Sequence, residues 1–180
     1  MTDSEIVSET RIAGCFIFSS PIHDDHRGSF WEWFKKNFVF DFEIKQANFS
    51  VSNFGVLRGM HFSIGRSSQA KVVTCVGGEI QDVLVDVRPH SRTFREVVSV
   101  DLSPTIGRSL LIAPGVAHGF LATKEGSGVV YLTSEKYEPG AERSLNALDP
   151  LLEGVWHLKK VTRSKKDEEA PLLEDLLLRE

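Results

Sequence analysis

Two of the six histidines lie in segments where an imidazole could act as a base. His61 lies in VLRGMHF and His118 lies in IAPGVAHGF, and each segment leads from a turn into a strand-like run. In jelly-roll barrels such strand starts often line the cavity. An imidazole titrates near neutral pH, which suits it to removing a proton from a substrate. A structural role or plain exposure is the simpler interpretation of His23, His26, His90 and His157.

The spacing around these histidines does not favour a metal site. Barrels that hold a metal often use an HxH pair, a glutamate and a later histidine. His61 is followed by Phe62 and Ser63, and no glutamate occurs in the next ten residues. Only His61 and His118 then remain as ligands, where three or four are needed. We therefore expect no catalytic metal.

A lysine and a tyrosine could be the chemical partners of such a base. Lys71 begins the apolar run KVVTCV. It is either an exterior lysine at a strand edge or, if it points inward, a buried cation that can stabilise an oxyanion. Tyr131 and Tyr137, the two tyrosines of the chain, lie in VVYLTSEKYEPGAE. The simpler role for Tyr131 is core packing with one hydroxyl hydrogen bond.

Two polar segments could bind a phosphorylated ligand. In DHRGSFWE, residues 25–32, Arg27 precedes Gly28. Its guanidinium can grip a phosphate through two hydrogen bonds, or it can simply lie in a surface turn. The amides of QANFS, residues 46–50, suit the edge of a nucleotide base or the polar face of a strand. Arg58 lies three residues before His61.

The elements that must position these residues are short strands. Between residues 10 and 160, β-rich runs recur about every 8–12 residues with turns between them, which predicts an all-β sandwich or jelly-roll barrel. Gly77-Gly78 separates the runs Lys71–Val76 and Ile80–Val87 and predicts a hairpin turn. Trp33–Asn37 is a candidate for a short helix.

The last residues of the chain have a different pattern. Leucines at positions 172, 173, 176 and 177 follow Pro171 at helical spacing. Proline is favoured in the first turn of a helix. The sequence therefore predicts a short C-terminal helix that covers the barrel.

The composition suits one globular domain and argues against several kinds of partner. The 180 residues carry a net charge of -4, which does not favour binding to nucleic acid. No apolar run is long enough for a membrane span, and residues 1–10 read as a flexible start rather than a signal peptide. Cys15 and Cys75 form no CxxC pair and are most simply buried thiols, although a disulfide between them stays open. We expect a single domain over 1–180 in the cytoplasm.

Taken in order, the segments of this chain resemble those of the dTDP-4-dehydrorhamnose 3,5-epimerase family. The matching segments are DHRGSFWE, QANFS, VLRGMHF, QAKVV, GEIQDVLVDVR, SPTIGRSLL, IAPGVAHGF, YLTSEKYEPGAE and SKKDEEAP. The resemblance covers residues 11–175. It implies a cupin-type jelly-roll β-barrel, a homodimer and no metal or organic cofactor. It also implies an isomerase that inverts C3, C5 or both of a dTDP-4-keto-6-deoxyhexose through an enolate, in activated deoxysugar biosynthesis.

The resemblance also implies roles for residues at matching positions. His61 resembles the general base, Asp167 the carboxylate that orients it, and Tyr131 the general acid on the opposite face of the sugar. Lys71 resembles the cation beside the ketone oxygen. The residues similar to those that bind substrate are Arg27, Phe30, Glu32, Gln46, Asn48, Arg58, His118, Tyr137 and Glu142.

The chain departs from the family pattern in places. Trp156 is followed by histidine instead of proline, and the tryptophan expected just before Asp149 is absent, with Ala147-Leu148 there instead. The sequence therefore leaves open whether one or both carbons are inverted. It also leaves two other functions, a ketoisomerase that moves the carbonyl through the same enolate, and a barrel that binds sugar nucleotides without turnover.

Overall fold

The computed structural model describes residues 6–36 and 42–178. Short antiparallel strands account for most of the regular structure. In chain order they are β1 (Ile6–Glu9), β2 (Phe16–Ser19), β3 (His23–Asp25), β4 (Gly28–Phe30), β5 (Gln46–Ser52), β6 (Leu57–Ser63), β7 (Lys71–Gly77), β8 (Ile80–Asp86), β9 (Val97–Leu102), β10 (Arg108–Ile112), β11 (Val116–Ala122), β12 (Ser127–Thr133) and β13 (Glu142–Ser144). Two short helices follow, α1 (Lys165–Glu168) and α2 (Leu173–Leu177).

Two antiparallel sheets form the body of the fold. One has the strand order β1-β2-β10-β7-β12-β5, and the other has the order β13-β6-β11-β8-β9. Among the described residues, strands β3 and β4 pair only with each other, as a separate hairpin. This arrangement confirms the all-β jelly-roll prediction. The two sheets form a sandwich, however, and do not close into a barrel.

The main core lies between the two sheets. Val73 and Leu110 from the six-stranded sheet and Leu84 and Phe120 from the five-stranded sheet are buried in one cluster. Because side chains alternate along a strand, the residues next to each of these point to the outer face of its sheet. The outer face of the five-stranded sheet is covered by residues from the C-terminal part of the chain, which include Leu152 and others in the same cluster. This double cover explains why every residue of β8 and β11 is buried.

The Gly77-Gly78 turn does not form the predicted hairpin. Strand β7 pairs with β10 and β12, whereas β8 pairs with β11 and β9, so the turn carries the chain from one sheet to the other. The prediction was wrong because two apolar runs around a glycine pair fit a crossover as well as a hairpin. Gly78 has a φ of 66°, and a Cβ there would lie 2.6 Å from Ser127 Oγ, so only glycine fits.

Three expectations at less regular positions can be compared with the structure. Ile6–Glu9, within the segment expected to be flexible, pairs with β2 as a strand, while residues 1–5 lie outside the described residues. Residues 33–36 are irregular rather than helical, and Asn37 lies outside the described residues. The short C-terminal helix is confirmed as α2, but Pro171 precedes it and Leu172 is its N-cap.

Two further observations concern the thiols and the membrane. Cys15 and Cys75 are buried free thiols, so the disulfide that the sequence left open is not formed. Over residues 6–36 and 42–178, no helix is long and apolar enough to cross a membrane.

An extra residue in β6 turns two polar side chains toward the same side. His118 of β11 lies opposite His61, but Phe120 lies opposite Arg58, so two steps on β11 match three on β6. This is a β-bulge, which redirects side chains along a strand. Strict alternation would place Arg58 and His61 on opposite faces of the sheet. With the bulge, both line the same cavity.

The two strands approach closely at this bulge. A Cβ at Gly119 would lie 2.8 Å from the Arg58 carbonyl oxygen and 2.7 Å from Met60 Sδ. Gly59, on the other strand, has a φ of 111°. Glycine at both positions therefore permits the approach that places His61 beside His118.

We expect Gly119→Ala to destabilise the fold by about 1–3 kcal/mol, because the added methyl group meets backbone that has little room to move. The free energy of unfolding in denaturant measures the effect. Gly140→Ala is the matched control, because no atom of residues 6–36 or 42–178 lies within 4 Å of the position of its added methyl group. Equal stability of the two variants would contradict the close approach.

Candidate active site

A cavity of about 610 Å³ opens between the two sheets. Strands β5, β7 and β12 form one wall, strands β6 and β11 form the other, and residues 162–167 close one side. The predicted site residues that line it are Gln46, Asn48, Arg58, His61, Lys71, His118, Tyr131, Tyr137, Glu142 and Asp167.

His61 and Asp167 form a short hydrogen bond at this cavity. His61 Nε2 lies 2.6 Å from Asp167 Oδ1, and the Asp167 side chain is almost fully buried. An ionised carboxylate only accepts hydrogen bonds, so Nε2 carries the shared proton. The Nδ1 lone pair of the neutral imidazole is then free to accept a proton.

The protonation of His61 is set by opposing influences. Burial lowers the pKa of His61, and the hydrogen bond and negative charge of Asp167 act against this decrease. The more distant Glu142 also raises the pKa, whereas Lys166 lowers it. The ring is therefore neutral near pH 7, and Asp167 stabilises the imidazolium once a proton arrives.

Tyr131 and Lys71 lie on the wall opposite His61. They belong to β12 and β7, neighbouring strands in which Thr133 pairs with Lys71. Neither side chain forms a hydrogen bond or an ion pair with another described residue, although both line the cavity. Lys71 is thus the inward cation that the sequence left open, and the Tyr131 hydroxyl is available to a ligand.

Burial changes the acidity of both groups. It lowers the pKa of Lys71, whereas the charges of Glu142 and Asp82 raise it. Burial also raises the pKa of Tyr131. The negative charge of Glu142 raises this pKa further, whereas the positive charge of Arg58 lowers it. The phenol therefore keeps its proton near pH 7 and can act as a donor.

His118 and Asp82 form a second histidine–carboxylate pair. His118 Nε2 lies 2.8 Å from Asp82 Oδ2, and both side chains are buried. Burial raises the pKa of Asp82, and the interactions with His118 and Lys71 lower it. Asp82 Oδ1 is buried and has no hydrogen-bond partner among the described residues. This carboxyl group therefore depends on its hydrogen bond to His118 and on the nearby Lys71.

Glu142 joins several of these groups at the edge of the cavity. Its Oε2 atom accepts hydrogen bonds from the Lys166 ammonium and, at 3.3 Å, from the Tyr137 hydroxyl. Burial raises the pKa of Glu142, and Lys166 lowers it. Since the charge of Glu142 acts on His61, Lys71 and Tyr131, Lys166 offsets a negative charge that would otherwise oppose an anion in the cavity.

Further polar groups from both walls lie around β5. Arg58 Nε donates to Ser52 Oγ at 2.9 Å, which holds the guanidinium near β5. Gln46 Nε2 donates to Asn48 Oδ1 at 2.8 Å, and Gln46 Oε1 accepts from the Tyr137 backbone. Ser50 Oγ is buried without a partner among the described residues. These groups can recognise a polar ligand beside the base.

Three predicted residues do not line the cavity. Arg27 and Phe30 lie on the β3–β4 hairpin, and Glu32 follows it. Arg27 pairs with Asp25 and has a side chain that is 79% exposed, and Phe30 is 64% exposed. Within one chain, these residues are therefore not brought together with the others.

Sequence reasoning missed other lining residues, which include Ser50 and Arg163, and it missed Asp82, which is buried against His118 of the cavity wall. Asp82 had a signal, because an aspartate inside the apolar run IQDVLV must be buried with a partner or face a cavity. Ser50 lies in QANFS, where only the amides were considered. Arg163 had no local signal, since only the tertiary fold brings its loop to the cavity.

The arrangement can move protons on two faces of a ligand. A base on one wall, a protonated phenol on the other and an unpaired ammonium suit removal of a proton beside a carbonyl, stabilisation of the enolate and return of a proton from the opposite side. Within the described part of the chain, no group of three or more histidines, cysteines and carboxylates has the arrangement of a metal site.

Known proteins are similar to this chain in both sequence and fold. The family model described as dTDP-4-dehydrorhamnose 3,5-epimerase matches residues 9–175. A dTDP-4-dehydrorhamnose 3,5-epimerase from Mycobacterium tuberculosis is 40% identical over 176 residues, which cover 93% of this chain and 87% of that protein. A dTDP-4-dehydro-6-deoxyglucose 3-epimerase from a Streptomyces species is 38% identical, with 90% and 86% covered.

A solved structure agrees with these matches. The 4-keto-6-deoxy sugar epimerase of the novobiocin biosynthetic gene cluster of Streptomyces spheroides has a TM-score of 0.93 and 31% identity. The similarity covers 98% of this chain and 91% of that one. These matches confirm the resemblance predicted from the sequence.

We predict that Asp167→Asn lowers the pKa of His61, because burial then acts on the ring without the opposing carboxylate. Histidine titration by NMR of the ligand-free protein measures this shift. The control is Asp101→Asn, which removes the carboxylate of an exposed pair, His157–Asp101, with a 3.0 Å contact. A His61 titration that is the same in both variants would contradict the role given to Asp167.

Proposed function

Because the chain belongs to the dTDP-4-dehydrorhamnose 3,5-epimerase family, we propose that its cavity inverts C3, C5 or both of a dTDP-4-keto-6-deoxyhexose. The observation that carries this proposal is the position of the His61–Asp167 pair on one wall and Tyr131 on the other, with Lys71 unpaired beside Tyr131. The product would be an activated deoxysugar.

The first step is removal of a proton beside the ketone. The C–H bond breaks, its proton goes to His61 Nδ1, and its electron pair forms the enolate. Asp167 favours the imidazolium that results. The enolate oxygen is anionic, and the Lys71 ammonium, which has no partner among the described residues, is the cation placed to stabilise it. Loss of one such donor costs about 2.7–4 kcal/mol in comparable oxyanion sites.

The second step returns a proton to the same carbon from the other side. The Tyr131 phenol donates its proton, the enolate electrons form the new C–H bond, and the ketone is restored. Solvent then reprotonates the phenolate and takes the proton held by His61. Each inversion therefore replaces a substrate hydrogen with one from solvent, and no group is oxidised or reduced.

We predict that the protein introduces solvent deuterium into dTDP-4-keto-6-deoxyglucose with inversion. His61→Asn should reduce exchange by at least about 10²-fold, because the base is lost, while dTDP still binds. Tyr131→Phe should retain exchange but lose inversion, because His61 can return the proton only to the face from which it came. NMR and mass spectrometry of the product in heavy water measure both.

The product distinguishes the functions that the sequence left open. Label at C3 and C5 would indicate inversion at both carbons, and label at one would indicate a single-centre epimerase. A keto group at C3 would indicate a ketoisomerase. Tight dTDP binding without exchange for any dTDP-4-keto sugar would contradict the enzyme and favour a binding protein.

A homodimer is part of the same proposal, supported by an uncovered apolar surface. Phe49 and Val51 on β5 and Val76 on β7 point away from the cavity, and Phe49 is 63% exposed. Strand β5 is also the edge of its sheet. Exposed apolar edges favour association, and a second copy would cover this one.

Such a dimer gives a role to the residues outside the cavity. The exposed β3–β4 hairpin carries Arg27 and Phe30 away from the cavity of its own chain. In a two-fold dimer it can reach the cavity of the partner, where a guanidinium would bind phosphate and an aromatic ring would stack on the base.

The free buried thiols Cys15 and Cys75 favour a reducing compartment, in agreement with a cytoplasmic location.

We expect a heterodimer of one His61→Asn chain and one Arg27→Ala/Phe30→Ala chain to have about half of wild-type activity, since one of its two cavities is complete. Each variant alone should be nearly inactive. The heterodimer is purified through two different tags after co-expression. Activity no higher than that of the parent variants would contradict the exchange of hairpins.

A further inference from the structure

The segment that carries Asp167 is too short to hold its own position. Helix α1 has four residues, and isolated helices of this length are unstable in water. At its start, the Ser164 hydroxyl accepts a hydrogen bond from the Asp167 backbone N–H at 3.2 Å. The end of the helix needs other contacts, because its last carbonyl groups have no partners within the helix.

Asn146 provides contacts at that end. Its Nδ2 atom donates to the carbonyl oxygens of Ala170 at 3.1 Å and Glu168 at 3.3 Å. Its backbone N–H donates to the Pro171 carbonyl at 2.8 Å. One asparagine therefore binds three carbonyl groups of the chain that follows Asp167.

Arg163, which precedes helix α1 in the chain, supports the same contact. Its Nη1 atom donates to Asn146 Oδ1 at 2.9 Å and lies 3.4 Å from the Asp167 carbonyl oxygen. Asn146 Oδ1 also accepts the Leu148 backbone N–H at 3.0 Å, which fixes the orientation of its amide. Both donors and the acceptor of the Asn146 side chain are thus in use.

Asn146 is also tied to the strand that carries His61. It follows β13, in which Ser144 lies opposite His61, and Leu145 exchanges two backbone hydrogen bonds with Met60. The chain of contacts therefore runs from His61 through β13 and Asn146 to the end of α1. The same stretch of backbone, β13 and the residues that follow it, thus contacts both the strand of His61 and the helix of Asp167.

We infer that Asn146 and Arg163 are positioning residues that hold Asp167 against His61. They form a latch, defined as the Asn146 and Arg163 side chains with the carbonyl groups they bind. Neither residue has to touch the substrate for this role. The catalytic consequence of the latch rests on the proposed function, whereas its effect on His61 can be measured without substrate.

The first test is the titration of His61 by NMR in the ligand-free Asn146→Ala variant. This substitution changes no charge, and the other charged groups that act on His61, Glu142 and Lys166, stay in place. With the latch removed, the carboxylate moves away from the ring, so the pKa of His61 should fall in the same direction as in Asp167→Asn. An unchanged His61 titration in folded Asn146→Ala would overturn the latch.

The matched control is Arg95→Met. Arg95 Nη2 lies 2.7 Å from Glu174 Oε1, so it binds the next helix, α2, in the same C-terminal segment. Its loss should leave the pKa of His61 unchanged. If the pKa falls equally in this variant, general loosening of the C-terminal segment explains the effect and the latch is overturned.

Variants of Arg163 test the latch independently if Asn146→Ala does not fold. Arg163→Met removes one side of the latch, and Arg163→Lys keeps the charge and one donor. The pKa of His61 should fall in the first variant and return toward the wild-type value in the second. Equal values in Arg163→Met and the wild type would overturn the contribution of Arg163.

The catalytic test is the rate of solvent deuterium exchange. Loss of an outer partner that orients a metal ligand commonly costs about 10–100-fold in activity. Because Asn146 orients Asp167 in a similar way, we expect a loss of about this size in kcat for Asn146→Ala, with KM changed less than about twofold. In an Asp167→Ala background, Asn146→Ala should cause no further loss, because the residue acts through Asp167. Additive losses in the double variant would overturn the inference that Asn146 acts through Asp167.

A wild type without exchange would instead contradict the proposed function, while the His61 titration still tests the latch.

Discussion

The short hydrogen bond between His61 and Asp167 is the contact on which the proposed chemistry of this cavity depends. The two residues are 106 positions apart, and one lies in a sheet whereas the other lies on a four-residue helix. Burial alone would make the imidazole a weaker base, because it disfavours the imidazolium. The carboxylate opposes that effect and fixes which ring nitrogen is free. The C-terminal segment is therefore part of the proposed active site as well as a cover for the sheet.

The cavity also has to balance several charges at close range. The carboxyl groups of Asp82, Glu142 and Asp167 each contact a histidine or a lysine, so none of the three is buried without a partner. Lys71 differs from the other cations because it has no partner among the described residues. Burial lowers the pKa of Lys71, and the more distant Glu142 and Asp82 oppose this decrease. The amino group therefore remains available to a ligand oxygen.

Strand alternation explains what could be predicted from the sequence and where prediction stopped. The β-rich runs located most of the strands, because period-two patterning is a local property. By the same rule, Arg58 and His61 should face opposite sides, and only the bulge beside Gly119 brings them together. That bulge depends on the partner strand, which no local pattern describes. The motifs of a known family located ten lining residues by resemblance, whereas Asn146 belongs to none of them and is recognised only from its contacts.

The positions of the proposed base and the proposed acid also limit how the number of inverted carbons can be set. C3 and C5 lie on either side of the C4 ketone, while His61 is fixed by Asp167 and Tyr131 is fixed within β12. Neither residue can follow the sugar, so inversion at both carbons requires the sugar ring to shift between two placements. That freedom depends on the walls around the ring and on how the nucleotide is held. A single-centre enzyme can therefore keep the same base and acid, and its selectivity would come from the cavity walls.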